Sequence, residues 1–345
     1  MWSQPVNCRG QAAESGSRHA RDTIFQLSVE LDLMPGDIGN FFFFSVLLCY
    51  DVVMRLGAFE LKEDLADVHE PHVLTTLRPW IDVGSVGSLS FAFLQDHLQA
   101  HRWGQLAKPG TFFDFTRYRP AIRLTEGQRR VIVPNTFIDY AKSPDGRDFL
   151  LFYLLEPTTL GEVYVESILR VMRRVGAKSY CLMGSMYDAV PHTKPLIVTG
   201  TASSIAQEEL RRLGVQSSDY EGPTTIAILV SQEAPKYGIE VSTLIVHLPQ
   251  YTGFEEDYAG VLRLLEILCS LYRLPMKLDE VRSKAHKQYE QLSLAMGQDP
   301  GAKRIIEELE AHYEARLSHE RKESPKLSPE IERFLRDLSY RWNSE

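Results

Sequence analysis

Two periodicities of apolar residues share the middle of the chain and predict its fold. Asp148–Leu155 is a continuous apolar run, as is typical of a strand buried on both faces, and residues 179–183 and 241–248 are predicted to be strands as well. Residues 85–101 and 163–175 instead carry apolar side chains at helical spacing. Strands that alternate with helices predict an α/β fold with three layers, α/β/α, around a mostly parallel central sheet.

Shorter stretches of the same region have less definite patterns. Residues 130–133 and 137–141 are predicted as strands of a meander, and residues 195–199 as a further strand. Residues 226–230 are apolar throughout, so their pattern fits a helix as well as a strand.

The patterning divides the chain into four parts. Residues 1–57 are predicted to be a disordered or non-conforming N-terminal extension, and residues 58–254 the α/β core. After residue 254 the strand patterns stop and helical periodicity takes over. Residues 255–320 are therefore predicted to be a C-terminal helical part packed on the core, and residues 321–345 a connector followed by an amphipathic helix.

An apolar run at residues 41–48, FFFFSVLL, lies within the N-terminal extension. It is shorter than the ~20 residues that a membrane-spanning helix needs. Acidic residues precede it where a signal peptide would carry basic ones. Three interpretations remain: a buried extra segment, a membrane anchor, or an extension outside the functional protein. The first and third fit the sequence better, so membrane attachment is not expected.

Composition and charge exclude some classes of function. The 345 residues are 44% hydrophobic and 24% charged, an ordinary globular composition, and the formal net charge is −8. A net negative chain lacks the basic character that drives nucleic-acid binding, so no nucleic-acid partner is expected. The four cysteines are far apart and form no CxxC pair, which argues against zinc sites and disulfides and favours a cytoplasmic location.

The polar segment between residues 184 and 194 holds the densest chemistry of the chain. Asp188, His192, Thr193 and Lys194 lie within seven positions, between two predicted strands. Such groups at the end of a sheet could form a polar ligand pocket. The alternative is an ordinary connection whose polar side chains satisfy nearby backbone groups.

Further candidate residues follow other predicted strands. Trp80 and Asp82 lie in the turn after the first core strand, Glu156 follows the central apolar run, and Tyr220 and Glu221 lie in a turn before residues 226–230. The turn after Asp82 resembles neither a dinucleotide fingerprint nor a Walker loop. A metal site at His69 and His72 is not expected because nearby ligands are lacking, and no cofactor is expected either.

Six short motifs in a fixed order make the chain from about residue 69 to residue 317 resemble the proteasome assembly chaperone 2 family, in particular its bacterial and archaeal members. They are Trp80-Ile81-Asp82-Val83-Gly84, Phe113-Asp114-Phe115 with Arg119-Pro120, Glu156-Pro157, Asp188-Ala189-Val190-Pro191-His192-Thr193-Lys194-Pro195, Tyr220-Glu221-Gly222-Pro223-Thr224 and Pro249-Gln250-Tyr251. The chain departs from some relatives at Lys194, where Arg is common, and at Gln250, where His is common.

The resemblance implies a core similar to that of purine nucleoside phosphorylases and self-association into oligomers. In eukaryotic relatives it also implies a chaperone that holds proteasome α-subunits during ring assembly. A protein partner, with proteasome subunits as the candidate, and a homo-oligomer are the corresponding expectations for this chain.

Two functional hypotheses follow. The first is a non-enzymatic scaffold or binding protein that acts through protein–protein contacts, which is favoured because the sequence has no GxSxG, HExxH or P-loop signature. The second is a small-molecule-binding protein or enzyme on the phosphorylase-like fold, with His192 as acid or base and Lys194 holding an anion. Both expect one binding surface, made by Trp80, Asp82, Glu156, Asp188, His192, Lys194, Tyr220 and Glu221.

Overall fold

Ten of the twelve strands form one sheet in the computed structural model, which describes residues 53–62, 68–125 and 127–318. In chain order the strands are β1 (Val53–Leu56), β2 (Phe59–Lys62), β3 (His72–Arg78), β4 (His101–Leu106), β5 (Ala121–Thr125), β6 (Gln128–Ile132), β7 (Phe137–Lys142), β8 (Asp148–Leu155), β9 (Ser179–Asp188), β10 (Val198–Gly200), β11 (Val215–Ser217) and β12 (Glu240–Pro249). The sheet order is β1-β2-β4-β7-β8-β3-β9-β12-β10-β11, and β5 and β6 pair with each other alone.

Seven α-helices occur in the described part of the chain. They are α1 (Val86–His97), α2 (Gly161–Arg174), α3 (Ser204–Arg212), α4 (Ile226–Glu233), α5 (Tyr258–Leu271), α6 (Asp279–Gly297) and α7 (Pro300–Ser318). Residues 226–230, for which the sequence allowed a helix or a strand, are therefore helical. The last three helices follow β12 without further strands, as the periodicity after residue 254 predicts.

The predicted three-layer α/β/α class is confirmed, and two separate cores lie on the two faces of the sheet. One core contains buried residues of α2 and α4, and the other contains buried residues of α1, α3 and α5. In β8, Leu150 belongs to the first core and Leu151 to the second, and both are fully buried. Burial on both faces explains why β8 has a continuous apolar run.

The sheet is mixed, which corrects the expectation that it is mostly parallel. Its four central strands, β8-β3-β9-β12, are parallel. The flanking strands β1, β2, β4 and β7 pair antiparallel, and β10 pairs antiparallel with β12. Short connections such as the turn between β7 and β8 allow only antiparallel neighbours. An apolar pattern records which faces are buried and carries no information on strand direction.

The predicted meander is wrong in its pairing. Residues 130–133 were expected to neighbour residues 137–141, but β6 pairs with β5 and β7 pairs with β4 and β8. Side-chain alternation fixes which residues share a face of a strand, and leaves the partner strand open.

Some predictions lie at or beyond the limits of the described residues. The sheet already includes Val53–Leu56, which the sequence analysis placed in the N-terminal extension. The apolar run at residues 41–48 and the amphipathic helix predicted near the C-terminus lie outside the described residues.

Candidate functional site

The carboxyl ends of four adjacent parallel strands carry most of the candidate residues. Glu156 follows β8, Trp80 and Asp82 follow β3, Asp188 ends β9, and Tyr251 follows β12. This edge of an α/β sheet is where ligands usually bind, so the neighbours of each side chain decide what the edge can do.

Asp82 is bonded to the first turn of α1. Its Oδ1 accepts a hydrogen bond from the Ser88 amide at 2.8 Å, its Oδ2 accepts one from the Ser88 hydroxyl, and Arg78 Nε lies 3.4 Å from Oδ2. Burial raises the pKa of Asp82, although the Ser88 bonds and Arg78 oppose that rise. A carboxylate of the chain therefore occupies the helix N-terminus where an anionic ligand would otherwise bind.

Close packing of α1 on β3 depends on Gly87. A Cβ at this position would lie 2.4 Å from Thr76 Oγ1 and 3.0 Å from Asp82 Oδ1. The glycine thus brings the first turn of α1 within reach of the Asp82 carboxylate.

Glu156 joins three segments of the chain at what we call the Glu156 junction, formed by Arg78, Tyr118, Glu156 and Ile226. Its amide donates to the Arg78 carbonyl at 2.9 Å, and its own carbonyl accepts from the Tyr118 hydroxyl at 2.9 Å. Its Oε1 accepts from the Ile226 amide, the first of α4, at 3.2 Å. Burial raises the pKa of the Glu156 carboxyl. The residue acts as a structural tie and as a cap of α4.

Asp188 bonds one residue of β12 and one residue of the C-terminal helix α7. Its Oδ2 lies 2.7 Å from His247 Nδ1 and 2.7 Å from Arg316 Nη1 of α7. The other ring nitrogen of His247, Nε2, lies 2.8 Å from Thr199 Oγ1. Burial works to raise the pKa of Asp188, but the bonds to His247 and Arg316 outweigh it and hold that pKa well below its usual range.

Thr199, His247 and Asp188 form a hydrogen-bonded series of a hydroxyl, an imidazole and a carboxylate, which are also the groups of a catalytic triad. In this chain Thr199 and His247 are each only 5% exposed. A nucleophile must reach its substrate, and both groups are instead enclosed between β9, β10 and β12. The series is therefore a buried hydrogen-bond network that ties three strands to α7.

His192 and its neighbours contact α6 and α7. His192 Nδ1 lies 2.7 Å from the Tyr251 hydroxyl, and Nε2 lies 3.1 Å from Ser293 Oγ of α6. Burial lowers the pKa of His192 and favours the neutral imidazole. The Thr193 hydroxyl donates to Glu310, and Lys194 Nζ lies 2.8 Å from Glu314, both on α7. We call this set of contacts between residues 188–194 and α6 and α7 the helix clasp.

Three candidate residues are exposed. Trp80 is 67% exposed and Tyr220 58% exposed, and Glu221 is exposed as well. Tyr220 donates its hydroxyl to the Pro223 carbonyl at 3.0 Å, which holds its turn together. Trp80 follows Arg78 of the Glu156 junction by two residues, whereas Tyr220 and Glu221 lie in the connection from β11, the last strand of the sheet, to α4.

The predicted residues fall into three sets. Asp188, His192 and Lys194 form the helix clasp, Asp82 and Glu156 bond the first turns of α1 and α4, and Trp80, Tyr220 and Glu221 are exposed. His192 bonds Tyr251 and Ser293, and Lys194 pairs with Glu314, so both side chains are engaged within the chain itself.

The sequence did not reveal the residues that bond Asp188, Thr193 and Lys194. His247 lies in an apolar strand, where an imidazole must find a polar partner, and that signal could have revealed it. Glu310, Glu314 and Arg316 all lie on α7, but nothing in the sequence shows which loop this helix meets.

Cavities and metal ligands add little at this edge. An open cleft of about 440 Å³ lies at Phe113, Asp114, Arg117 and Thr158, and none of the candidate residues lines it. The described residues contain no cluster of three or more His, Cys, Asp or Glu that could hold a metal ion. His72, one of the two histidines considered for a metal site, bonds Ser179 through Nδ1 at 2.7 Å. Within the described ranges, no helix is sufficiently long and apolar to span a bilayer.

Comparison with known proteins gives a family and a fold. The profile of the PAC2 family matches residues 76–296. A Corynebacterium glutamicum protein of unknown function superposes with a TM-score of 0.68 at 21% identity, covering 77% of this chain and 100% of that one. A proteasome-assembly chaperone homologue of Mycobacterium tuberculosis gives 0.61 at 23% identity, covering 68% and 99%. A PAC2 family protein of Streptomyces avermitilis gives 0.62 at 22% identity, covering 68% and 99%. Among curated proteins there is no match.

Proposed function

The chain belongs to the PAC2 family, and on that premise we propose that it is a non-enzymatic scaffold which acts through protein–protein contacts in the manner of a proteasome assembly chaperone. A homologue of such chaperones shares its fold. The proposed partners are proteasome subunits and further copies of the chain itself. The widely spaced cysteines, of which Cys181 and Cys269 are free thiols, support a cytoplasmic location.

One observation carries the proposal: the carboxylates of Asp82 and Asp188, and Oε1 of Glu156, are engaged with other elements of the same chain. Asp82 and Glu156 bond the amides at the starts of α1 and α4, and Asp188 holds α7. The candidate residues that remain exposed are instead Trp80, Tyr220 and Glu221. Exposed aromatic side chains of this size are typical of protein-binding surfaces.

The same observation weighs against a phosphorylase-like enzyme. An anionic substrate would meet the carboxylates of Asp82 and Glu156 at the starts of α1 and α4, where helix N-terminal amides otherwise bind anions. Like charges would repel the ligand, and the amides are already bonded.

Affinity capture from a native lysate, with the full chain at its endogenous level, tests the proposal. We expect proteasome α-subunits to be recovered together with the chain. Trp80→Ser should reduce that recovery, whereas Leu294→Ser, which alters an exposed side chain of α6, should leave it unchanged. Recovery of the chain alone with a bound small molecule would reject the scaffold proposal in favour of the ligand-binding alternative.

A further inference from the structure

The hairpin arm, Ala121–Ile132, contributes no residue to either core of the described chain. β5 and β6 pair with each other alone, and every residue of the two strands is exposed. Ile122, Leu124 and Val131 are 67%, 74% and 65% exposed. A two-stranded ribbon is marginally stable in water by itself, and three or more strands or a packed partner are needed. The arm therefore has the character of an element that another molecule completes.

Both ends of the arm are fixed to the core. The Tyr118 hydroxyl, three residues before the arm, donates to the Glu156 carbonyl at 2.9 Å. The side-chain amide of the buried Asn135, three residues after the arm, donates to the Leu106 carbonyl at 3.1 Å. A ribbon that is held at both ends presents its strands in a defined place, so a partner that binds it has less disorder to overcome.

The outer edge of β6 can accept a further strand. β6 pairs with β5 along one edge, and no strand of the described residues lies along the other. Within the described ranges, no backbone–backbone hydrogen bond joins Gln128–Ile132 to any element other than β5. An unpaired edge presents its N–H and C=O groups as a template for an extended segment of another chain.

Arginines distinguish this edge from an ordinary exposed strand. Arg129 and Arg130 are consecutive in β6, so they lie on opposite faces, and the aliphatic Val131 and Ile132 follow them. Across the ribbon Arg130 lies opposite Arg123, and like charges in that position destabilise a strand pair. None of the three arginines has an ion-pair partner in the described part of the chain. Carboxylates supplied from outside would relieve the repulsion.

The same arginines decide among the possible occupants of the edge. Two arms that paired through their β6 edges would bring their arginine pairs to one seam, which disfavours a second copy of the chain. An anionic bilayer would contact one face of the ribbon, whereas arginines lie on both faces. A strand added beside β6 reaches both faces, because its successive side chains alternate between them. An acidic extended polypeptide is therefore the occupant that the charges favour.

We propose that the outer edge of β6 binds an extended acidic segment of a partner polypeptide as the third strand of the arm. The residues of β6 give the pattern of that segment: two consecutive acidic residues beside Arg129 and Arg130, and two consecutive aliphatic residues beside Val131 and Ile132. Antiparallel pairing, which is the more stable kind, orders the segment as aliphatic, aliphatic, acidic, acidic. The proposal rests on the scaffold function proposed above and names a surface and a partner chemistry for it.

Two synthetic peptides, titrated against the purified full chain by fluorescence anisotropy, test the pattern. One repeats Val-Val-Glu-Glu and the other repeats Val-Glu-Val-Glu, so both have the same composition and charge. The first should bind at least about threefold more tightly, because only it sets a glutamate beside each arginine. N-methylation of its amides should abolish binding by removing the N–H groups that pair with β6. Equal binding of the two peptides, or binding that survives N-methylation, would overturn the proposal.

Matched pairs of arginine substitutions locate the site. Arg129→Gln with Arg130→Gln should weaken binding of the Val-Val-Glu-Glu peptide by about three- to tenfold, because two cross-strand pairs of opposite charge are lost. Arg211→Gln with Arg212→Gln removes the same charge from an exposed pair on α3 and should leave binding unchanged. Arg129→Glu with Arg130→Glu should transfer the preference to a Val-Val-Lys-Lys peptide. Equal weakening by the two glutamine pairs, or no transfer of preference, would mean attraction by general charge and would contradict the proposal.

Vesicles of phosphatidylserine with phosphatidylcholine, and a short DNA duplex, test the other anionic partners. Both should bind the wild-type chain more weakly than the Val-Val-Glu-Glu peptide does, at the same salt concentration. Tighter binding to vesicles or to DNA that is lost with Arg129→Gln and Arg130→Gln would assign the arm to that partner and reject the acidic segment.

These measurements use the purified chain and synthetic probes, so their outcome is separate from the capture of proteasome subunits. A chain that captures α-subunits and binds no Val-Val-Glu-Glu peptide would reject the β6 edge and leave the scaffold proposal standing. A chain that binds the peptide and captures no α-subunit would leave the edge standing and reject proteasome subunits as the partner.

Discussion

Replacing Arg316 by methionine tests whether its bond to Asp188 holds α7 against the core. Arg316 and Asp188 have 20% and 25% exposed side chains, and 2.7 Å separates Nη1 from Oδ2. A hydrogen bond between charged groups contributes about 1.5–3 kcal/mol when it is sheltered in this way. Since α7 buries only Leu309 and Tyr313 among its described residues, this bond is a large part of what holds the helix.

The expected magnitude is a loss of about 2 kcal/mol in the free energy of local opening of α7 for Arg316→Met. That loss corresponds to roughly a 30-fold rise in the opening equilibrium, because each 1.4 kcal/mol is a factor of ten. Hydrogen–deuterium exchange of the α7 amides measures it directly, since exchange follows local opening. Exchange in β8 should stay slow, because that strand lies between both cores.

Lys194→Met is the matched control, because Lys194 joins the same loop to the same helix through an exposed ion pair with Glu314. Solvent screens exposed pairs, so exchange of α7 should change little in this variant. The reasoning fails if Arg316→Met leaves exchange of α7 unaltered, or if both variants accelerate it equally. The second result would mean that general charge on α7, and not the sheltered bond, holds the helix.

Acid should release the same contact. Asp188 has a depressed pKa in the folded chain, so its contribution to stability is present above the ordinary value of 3.8 and is lost as the pH falls through the folded value. Without Arg316 the pKa of Asp188 rises toward its usual range. Exchange of α7 in Arg316→Met should therefore accelerate at a higher pH than in the wild type.

Substitutions at Glu156, at His72 and at two glycines probe the fold further, and urea denaturation measures each of them. Glu156→Ala should cost about 1–2 kcal/mol because the first amide of α4 loses its acceptor, whereas Glu156→Gln keeps an acceptor and removes a buried charge, and should cost less. Burial lowers the pKa of His72 from 6.5 to about 4, so the stability that depends on its neutral form is present above pH 6.5 and is lost as the pH falls toward 4. His72→Gln should make this loss of stability smaller. An unchanged dependence of stability on pH would contradict the expectation. Gly184→Ala should cost about 1–3 kcal/mol because the new Cβ would lie 2.2 Å from the Ile81 carbonyl oxygen, while Gly297→Ala, with open space around it, should be neutral or stabilising.

The sequence predicts the centre of the fold well because buried strands and helices there have distinct apolar patterns. The apolar run of Asp148–Leu155 identifies a central strand, and the helices after residue 254 follow from their periodicity. Strand direction and strand partners leave no such record, which is why the sheet was expected to be mostly parallel and β6 was assigned the wrong neighbour. The separate pairing of β5 with β6 was hidden for the same reason, since the apolar alternation of these strands resembles that of a half-buried strand.

The candidate site was predictable in its residues and not in its contacts. Asp188, His192 and Lys194 are concentrated in one loop, and that concentration is visible in the sequence. Their partners come from β12, α6 and α7, 59 to 128 residues away along the chain. A local pattern cannot show which distant helix meets a loop, so a ligand pocket and a helix clasp were indistinguishable before the structure.

The engagement of Asp82 and Glu156 leads to one more expected outcome, which separates the scaffold from the phosphorylase-like alternative. Phosphate at about 100 times its Kd would stabilise a binding protein by roughly 2.7 kcal/mol. Because the Ser88 amide of α1 and the Ile226 amide of α4 are bonded to carboxylates, we expect no phosphate binding there. Phosphate at about 10 mM should therefore raise the melting temperature no more than sulfate or chloride at the same ionic strength. A phosphate-specific rise that Asp82→Asn alters would show that an anion competes for the amides of α1. The edge would then be a ligand site that its own carboxylate closes, and the scaffold argument would lose its main support.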